Sequence, residues 1–519
     1  MYNNLIHSSF ADIPSNDRKT TILIVGAGFG GGEFLSKSIE LSIKDELTNL
    51  IRYIIVDPIA IDKYGCGIAW DTEQPRLLRS NNYIPLLILK EHLNNIFSNQ
   101  EVNISLKEEI GIDLTQQYVE RYKMGLIFHE SFKKTLTKAL KNKIEIYIVQ
   151  SQVINIKQSY SNKFEIEDLN QHRLLSEIVV LAVGHFPNTI FSNLEGLPNY
   201  VKTPWEWKRF KEINKKDHVA LLGLGPSAID VIQILLEKKH ENIKGFSRTG
   251  LMYYPRPRFK PIKLKIVSES LLQKASLHGG LKLNSLIEIL LSEFNSQSVD
   301  WHLVIDAIEY SKLSPKNALK LGIEQSIDEN NWYGIILELE KFVPLIWNLL
   351  VIEDRPKFKR LYAQLSKIIY GMPPPVASKI LTAIDSGKLQ TYRGLSEVNW
   401  NGSCFEIKTQ QYGVERVYLS DIVINCTGFG FHLDESPWKF VQNMINNKLM
   451  IIGPNKYPLI DFKTGQLLDK NHKKQGEIYC IEGSLTLEKN LVTNGLRKVY
   501  KSVNIIVREI HNKILKHNK

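Results

Sequence analysis

The feature that most constrains this chain is a glycine-rich turn that directly follows a short apolar run. Residues 21–25 read Thr-Ile-Leu-Ile-Val, which is typical of a buried strand, and residues 26–31 read Gly-Ala-Gly-Phe-Gly-Gly. Residues 33–47 then show spacing compatible with a helix. A lone glycine motif is a weak signal, but a strand, a G-x-G-x-x-G turn and a helix in this order predict a dinucleotide-binding fold.

Each glycine of this turn has a physical role in such a fold. Gly26 permits the tight bend after the strand, Gly28 lets the backbone approach a pyrophosphate, and Gly31 lets the helix pack closely on the strand. The start of the helix presents free N–H groups and a partial positive charge to the phosphates. The next apolar run ends at Asp57, whose carboxylate is expected to bind the ribose hydroxyls. The first predicted nucleotide site comprises Gly26, Ala27, Gly28, Gly30, Gly31 and Asp57.

A second apolar run and glycine turn occur in the middle of the chain. Residues 218–222 are followed by Gly-Leu-Gly-Pro-Ser-Ala at 223–228, and the fingerprint allows alanine at its last position. The next predicted strand, residues 243–248, ends at Arg248 rather than at an acid. An arginine there suits a 2′-phosphate and favours NADPH over NADH, with a surface or substrate-side role as the alternative interpretation. The second predicted site comprises Gly223, Gly225, Ser227, Ala228 and Arg248.

Longer patterns indicate how the chain is divided. Two stretches, residues 177–185 and 421–429, each begin with an acid, continue as an apolar run, and then contain a small residue and a glycine. Helical spacing dominates from about 268 to 370 and ends before three consecutive prolines, which a helix interior does not tolerate. We therefore predict three segments, which are a first nucleotide domain at 20–200, a second one at 201–375 with a helical insertion at about 268–370, and the remainder of the first domain at 376–512.

Several further segments resemble those of a known family. The run Leu181-Ala182-Val183-Gly184-His185 is similar to the L-A-T-G-[HY] element of FAD/NAD(P)-binding flavoproteins related to flavin-dependent and N-hydroxylating monooxygenases. Residues 425–428, preceded by Asp421, are similar to the same element. Residues 65–70 with 77–82 resemble the segment near the flavin ring, residues 121–125 a basic-and-glycine element, and residues 481–485 the late glycine turn.

The resemblance implies a fold, cofactors and additional site residues. The fold class would be α/β, with two Rossmann-like dinucleotide-binding domains, of which the FAD domain is discontinuous and the NAD(P)H domain is inserted together with a helical insertion. The cofactors would be FAD on the first turn and NADPH on the second, with NADH as the alternative. The further cofactor-binding residues implied are Gly67, Asn81, Arg121, Gly184, Gly428 and Gly483.

Two departures from the family pattern narrow this expectation. The sequence F-x-G-x-x-x-H of many Baeyer–Villiger and flavin-containing monooxygenases is missing between Phe186 and Val219, which argues against those two subclasses. Many flavoproteins carry Gly-Asp in the late turn, whereas this chain has Gly483-Ser484. We therefore expect contact to the flavin from the backbone of Gly483 rather than from the side chain of Ser484.

Composition excludes several other classes. The four cysteines, Cys66, Cys404, Cys426 and Cys480, form no C-x-x-C pair and no zinc pattern, which argues against a dithiol relay and predicts reduced thiols in a cytoplasmic protein. The net charge of +11 is spread along the chain, so no nucleic-acid partner is predicted. The most apolar long segment, residues 332–352, contains three charged residues, so no stable membrane insertion is expected.

These observations predict an FAD-dependent oxidoreductase that uses NAD(P)H. With no dithiol, the electron acceptor would be oxygen or an external molecule, and the favoured function is a monooxygenase using O2 on a small molecule such as an amine or amino acid, a substrate class that rests on the resemblance alone. The alternatives are a flavin reductase or dehydrogenase with a non-oxygen acceptor, and a non-catalytic nucleotide-binding sensor. No catalytic residue is assigned, and His185 is interpreted as capping a turn or lining the cleft rather than as an acid or base.

Overall fold

The chain forms two compact units, one of which is inserted into the other. The computed structural model describes residues 3–15, 18–80, 92, 118–159, 163–260, 262–491 and 495–517. The first unit comprises Met1–Thr189 and Phe429–Lys519, and the second comprises Ile190–Gly428.

The elements are numbered in chain order within the described residues. The strands are β1 (Ile6–His7), β2 (Thr20–Val25), β3 (Ile51–Val56), β4 (Glu145–Val149), β5 (Val153–Gln158), β6 (Phe164–Asp168), β7 (Arg173–Ser176), β8 (Ile178–Leu181), β9 (Tyr200–Val201), β10 (Val219–Leu222), β11 (Ile243–Ser247), β12 (Leu389–Arg393), β13 (Leu395–Trp400), β14 (Phe405–Gln411), β15 (Val414–Ser420), β16 (Ile422–Asn425), β17 (Gln466–Leu468) and β18 (Lys474–Cys480). The α-helices are α1 (Phe29–Lys44), α2 (Arg121–Lys141), α3 (Pro226–Glu237), α4 (Glu269–Ala275), α5 (Leu283–Ser296), α6 (His302–Tyr310), α7 (Pro315–Gln325), α8 (Asn331–Leu339), α9 (Val343–Leu349), α10 (Arg355–Ile369), α11 (Pro374–Asp385), α12 (Lys439–Asn446), α13 (Leu487–Asn490) and α14 (Leu496–His517). No described helix has the length and apolar character needed to cross a bilayer.

A seven-stranded sheet in the order β1-β4-β3-β2-β8-β18-β17 forms the centre of the first unit. Its pairs are parallel except for β17 with β18. Ile22 and Ile24 point into one apolar cluster with α1, α2 and α14, whereas Leu23 and Val25 point into another with β6 and α12. Because both faces are covered, β2 is a continuous apolar run, as is typical of parallel sheets.

The second unit contains a five-stranded parallel sheet in the order β12-β11-β10-β16-β9. Helices α4 to α10 lie between β11 and β12 in the chain, over the stretch where the sequence predicts a helical insertion. A three-stranded antiparallel sheet, β13 to β15, precedes β16, and the similar sheet β5 to β7 precedes β8 in the first unit.

The chain returns to the first unit at Phe429 rather than near the predicted residue 376. The reason is strand pairing, since Leu389 of β12 lies opposite Ile243 and Ile422 of β16 lies opposite Val219, so both strands extend the second sheet. The first boundary also differs slightly, because the short strand β9 pairs with β16 and draws the chain after Thr189 into the second unit.

Candidate functional site

The first glycine turn lies at the carboxyl end of β2, between the ends of two neighbouring strands. The register places Val25 opposite both Val56 and Leu181, so the three chain segments leave the sheet together. Gly26 has φ +104°, and its N–H donates to the carbonyl of Val56 at 2.8 Å. A Cβ atom on Gly26 would lie 2.2 Å from the carbonyl oxygen of Ala182, so this position requires glycine.

Helix α1 starts immediately after this turn. Gly28 is its N-cap residue and provides no side-chain cap, so the helix dipole and the first N–H groups face the turn. A Cβ atom on Gly31 would lie 2.0 Å from the carbonyl oxygen of Gly26, so the helix packs against the turn without room for a side chain. The segment containing Gly67 (φ +63°) lies beside the turn, and a Cβ atom on Gly28 would lie 3.7 Å from the Cα atom of Gly67.

Asp57 follows β3 directly, and the turn itself positions its carboxylate. Oδ2 accepts from the N–H of Ala27 at 2.7 Å, and Oδ1 accepts from the N–H of Ile59 at 2.9 Å. Burial raises the pKa of Asp57, and the two backbone hydrogen bonds oppose that shift. A carboxylate has about four acceptor positions, so hydroxyl donors could still bind beside the two backbone N–H groups.

The late glycine turn packs directly on the end of β8. Gly483 has φ +76°, and a Cβ atom there would lie 1.6 Å from the carbonyl oxygen of Gly184. Gly184 has φ +69°, and a Cβ atom on it would have no atom within 4 Å. Open space therefore borders the backbone at Gly184, whereas Gly483 is held in close contact.

The hydroxyl of Ser484 bonds to the main chain in two places. Its side chain is fully buried, its Oγ accepts from the N–H of Phe186 at 3.1 Å, and its hydroxyl donates to the carbonyl of Gly430 at 2.6 Å. The side chain is thus engaged with the two segments that connect the first unit to the second along the chain.

His185 lies beside these segments as a neutral ring. It stacks on Phe429 with the ring centroids 4.5 Å apart and the planes 14° apart. Burial lowers its pKa to about 4, so the imidazole carries no charge at neutral pH. A neutral imidazole stacked on a phenyl ring is poorly placed to act as an acid at neutral pH.

Glu482 was not among the residues predicted from the sequence. A Cβ atom on Gly30 would lie 2.5 Å from Oε1 of Glu482, and the carboxylate accepts from the N–H of Gly30 in the first turn of α1. Burial raises the pKa of Glu482 to about 7. The signal that could have found it is the acid immediately before Gly483 in a turn predicted to approach the flavin.

Two further cofactor-binding residues implied by the resemblance are Arg121 and Asn81. Arg121 is the first residue of α2 and is buried, and its Nε donates to the carbonyl of Arg79 at 2.9 Å. Asn81 lies outside the described residues.

The second glycine turn has nearly the same backbone as the first. Gly223 also has φ +104°, its N–H donates to the carbonyl of Phe246 at 2.7 Å, and a Cβ atom there would lie 2.5 Å from the carbonyl oxygen of Cys426. Gly225 is the N-cap residue of α3, and the ring of Tyr253 lies 3.8 Å from where its Cβ atom would be. Gly428 has φ +95° and, like Gly184, borders open space.

The side chains of the second turn differ from those of the first. Ala228 is fully buried at the position that corresponds to Gly31, and Ser227 is half-buried at the position that corresponds to Gly30. Arg248 is exposed directly after β11, where the first unit has Asp57. The second turn therefore presents a cation at the place where the first presents an anion.

The four cysteines form no disulfide. All four are free, and Cys66, near the first turn, is buried with its thiol donating to the carbonyl of Lys63 at 3.0 Å. Burial raises the pKa of Cys66 to about 12, so its reactive thiolate form is disfavoured at neutral pH.

Comparison with known proteins agrees with this geometry. Residues 23–186, within the first unit, match the model of the FAD-NAD(P)-binding family. No curated protein matches the chain in sequence.

Solved structures show the same fold at low sequence identity. Ornithine hydroxylase from Pseudomonas aeruginosa is 12% identical, with a TM-score of 0.55 over 99% of this chain and 100% of that one. FAD-bound cadaverine monooxygenase from Erwinia amylovora is 13% identical, with a TM-score of 0.54 over 94% of both chains. Ornithine N-hydroxylase from Kutzneria sp. 744, solved with reduced FAD, NADP+ and L-ornithine, is 10% identical, with a TM-score of 0.53 over 95% of this chain and 99% of that one. These likenesses confirm the predicted α/β fold with Rossmann-like domains.

Proposed function

We propose that this protein is an FAD-dependent oxidoreductase that takes electrons from NAD(P)H and acts as a monooxygenase on a small amine or amino acid. The observation that carries the proposal is the repeated turn geometry, in which Gly26 and Gly223 share φ +104° while Asp57 and Arg248 follow the neighbouring strands. An acid at this place suits ribose hydroxyls, and an arginine suits a 2′-phosphate. The first turn is therefore assigned to FAD and the second to NADPH, with NADH as the alternative.

The backbone around the first turn fits a dinucleotide. Added Cβ atoms at Gly28 and Gly184 would enter space that the chain leaves open, apart from a 3.7 Å approach to Gly67. The uncapped start of α1 supplies the positive end of a helix dipole. The carboxylate of Glu482 opposes an anion at this place, and its raised pKa reduces that opposition near neutral pH.

The residues proposed to hold the cofactors fall into two sets. Those for FAD are Gly26, Ala27, Gly28, Gly30, Gly31, Asp57, Gly67, Asn81, Arg121, Gly184 and Gly483. Those for NADPH are Gly223, Gly225, Ser227, Ala228, Arg248 and Gly428.

FAD, when bound, supplies a ring that accepts hydride from the reduced nicotinamide and passes the electrons to oxygen. The chain itself contributes binding, orientation and exclusion of water. The backbone of Gly483 packs tightly on Gly184, which follows β8, and the ring of His185 stacked on Phe429 adds a neutral surface without a positive charge. The free cysteines leave no internal dithiol as acceptor, which favours oxygen or an external molecule.

The amine substrate class is supported by similarity. The matched structures are described as acting on ornithine or cadaverine, and they share the fold over nearly the whole chain. A small cationic amine would be the first class of substrate to test.

The test is spectroscopic and then kinetic. Purified protein should show flavin absorbance, and anaerobic NADPH should bleach it. Oxygen uptake should then rise on addition of ornithine, lysine or cadaverine, with a hydroxylated amine as product. Bleaching without substrate-dependent oxygen uptake for any amine would reject the monooxygenase and favour a reductase. Bound flavin that NAD(P)H does not reduce would favour a nucleotide sensor.

A further inference from the structure

An internal carboxylate already occupies part of the proposed anion site. Glu482 reaches from the late turn to the first turn of α1, where its carboxylate accepts from the N–H of Gly30. Its Oε1 and Oε2 lie 2.5 and 3.0 Å from the position of a Cβ atom on Gly30, so any other residue at Gly30 would displace it. The N–H groups at a helix start are the donors that a pyrophosphate uses in this kind of fold.

Two anions at one helix start disfavour each other. An ionised Glu482 would lie against the bound pyrophosphate, and the desolvation that raises its pKa also strengthens repulsion between like charges. A protonated Glu482 has no such conflict, because one oxygen can keep the bond from Gly30 while its O–H can donate to a phosphate oxygen. The geometry therefore couples the charge of one side chain to cofactor binding.

Among the residues that the structure describes, no charged group contributes to the pKa shift of Glu482. His185, at the end of β8, is neutral because burial lowers its pKa to about 4. Glu33, further along α1, lies 3.1 Å from Nε2 of His92. Lys489 on α13 has a pKa lowered to about 8 by burial and interacts with Asp461. Asp57 is held by backbone N–H groups, as described above. The causes that shift the pKa of Glu482 are burial and, against it, the bond from Gly30.

We propose that Glu482 is a cofactor-binding residue that holds the FAD pyrophosphate only in its protonated form, so that FAD binding takes up a proton. The inference rests on the proposed FAD site. It assigns to Glu482 a role that the glycine motif alone does not contain, and it explains why the fifth position of that motif is Gly30. Because only the protonated form is proposed to bind, FAD should bind more weakly as pH rises through the pKa of Glu482.

The experiment titrates FAD into the full chain stripped of flavin, from pH 6 to pH 8, by flavin fluorescence. FAD itself has no group that titrates in this range. With a pKa of about 7, the dissociation constant of the wild type should rise about tenfold across it. Glu482→Gln keeps the shape and the acceptor for Gly30, and it should bind FAD tightly at every pH. Glu435→Gln, which removes an exposed carboxylate of the same unit, should behave like the wild type.

A second measurement needs no variant. Calorimetry of FAD binding at pH 8, in two buffers of different ionisation enthalpy, should show uptake of about one proton per FAD. A dissociation constant that does not change with pH, binding without proton uptake, or an unchanged pH dependence in Glu482→Gln would overturn the inference and leave the proposed function standing. Absence of FAD binding by the wild type at every pH would overturn both.

Discussion

The two glycine turns of this molecule have nearly the same backbone conformation, but the side chains that follow the neighbouring strands, Asp57 and Arg248, have opposite charges. In the first unit, the N–H of Thr21 donates to Glu177 at 2.9 Å, and in the second the N–H of His218 donates to Asp421 at 2.8 Å. Before β8, the hydroxyl of Ser176 donates to the carbonyls of Thr21 and Ile178. Before β16, the hydroxyl of Ser420 donates in the same way to the carbonyls of His218 and Ile422. The repeat extends from the strand starts to the turns.

What differs is confined to side chains at the strand ends and in the first helical turn. Asp57 is replaced by an exposed Arg248, Gly30 by Ser227, and Gly31 by Ala228. Glu482 reaches the first turn, whereas the ring of Tyr253 lies against the second. Under the proposed function, the shared backbone would allow each turn to bind a dinucleotide, and a few side chains would determine which one binds.

The largest expected effect comes from adding a side chain to the glycine with positive φ in each turn. Gly26→Ala places a Cβ atom 2.2 Å from a carbonyl oxygen at φ +104°, and should lower the free energy of unfolding by about 2–3 kcal/mol and abolish FAD binding. Gly223→Ala should keep the flavin absorbance but lose reduction by NADPH. Denaturant unfolding and absorbance spectra measure both. Loss of FAD in Gly223→Ala would break the assignment of one cofactor to each turn.

A smaller effect is expected for the acid of the first turn. Asp57→Asn removes a charged acceptor, and hydrogen bonds to charged groups contribute about 1.5–3 kcal/mol. FAD should therefore bind about ten- to a hundredfold more weakly, as measured by flavin fluorescence. Asp62→Asn, at an exposed position nearby, serves as the control. Unchanged FAD affinity in Asp57→Asn would mean that this carboxylate only supports the turn.

The cation of the second turn should distinguish the two nicotinamide cofactors. Arg248→Ala should raise KM for NADPH about tenfold, which corresponds to about 1.4 kcal/mol, because a phosphate partner is lost. KM for NADH should be unchanged in steady-state assays. Lys408→Ala, which removes a half-buried cation of the same unit, should change neither value. Equal increases for both cofactors would remove the argument for a 2′-phosphate site.

The smallest effect concerns the helix start. Ala228→Gly should lower the free energy of unfolding by about 1 kcal/mol, the cost of glycine in a helix. Cofactor binding should be unchanged, because the fingerprint accepts either glycine or alanine at this position. Gly31→Ala should cost more, because its Cβ atom would lie 2.0 Å from the carbonyl oxygen of Gly26. Equal costs in denaturant unfolding would contradict the tighter helix packing inferred for the first turn.

The turns and the strands that lead into them could be predicted because their signals are local. An apolar run followed by glycines at set positions is visible within a few residues, as at 21–31 and 218–228. The return of the chain to the first unit at Phe429 could not be predicted, because it depends on the pairing of β12 and β16 with strands far away in the chain. An acid that follows a strand, such as Asp57, is equally local and was predicted.

Glu482 was missed for a related reason. Its meaning comes from the contact with Gly30, a residue near the other end of the chain, and no sequence pattern joins the two. The role of Ser484 was anticipated only as a departure from Gly-Asp. Its two hydrogen bonds to Phe186 and Gly430 required the folded chain to be seen.

The backbone pairing of Phe186 with Gly430 also bears on whether the inserted unit can be removed or exchanged. These residues pair in antiparallel fashion, with the N–H of Gly430 donating to Phe186 at 2.9 Å, immediately before the chain leaves the first unit and after it returns. The two ends of the inserted segment therefore lie side by side, as in a permissive site for domain insertion. A short loop in place of residues 190–428 would close the first unit, and the second unit can be regarded as an exchangeable cassette.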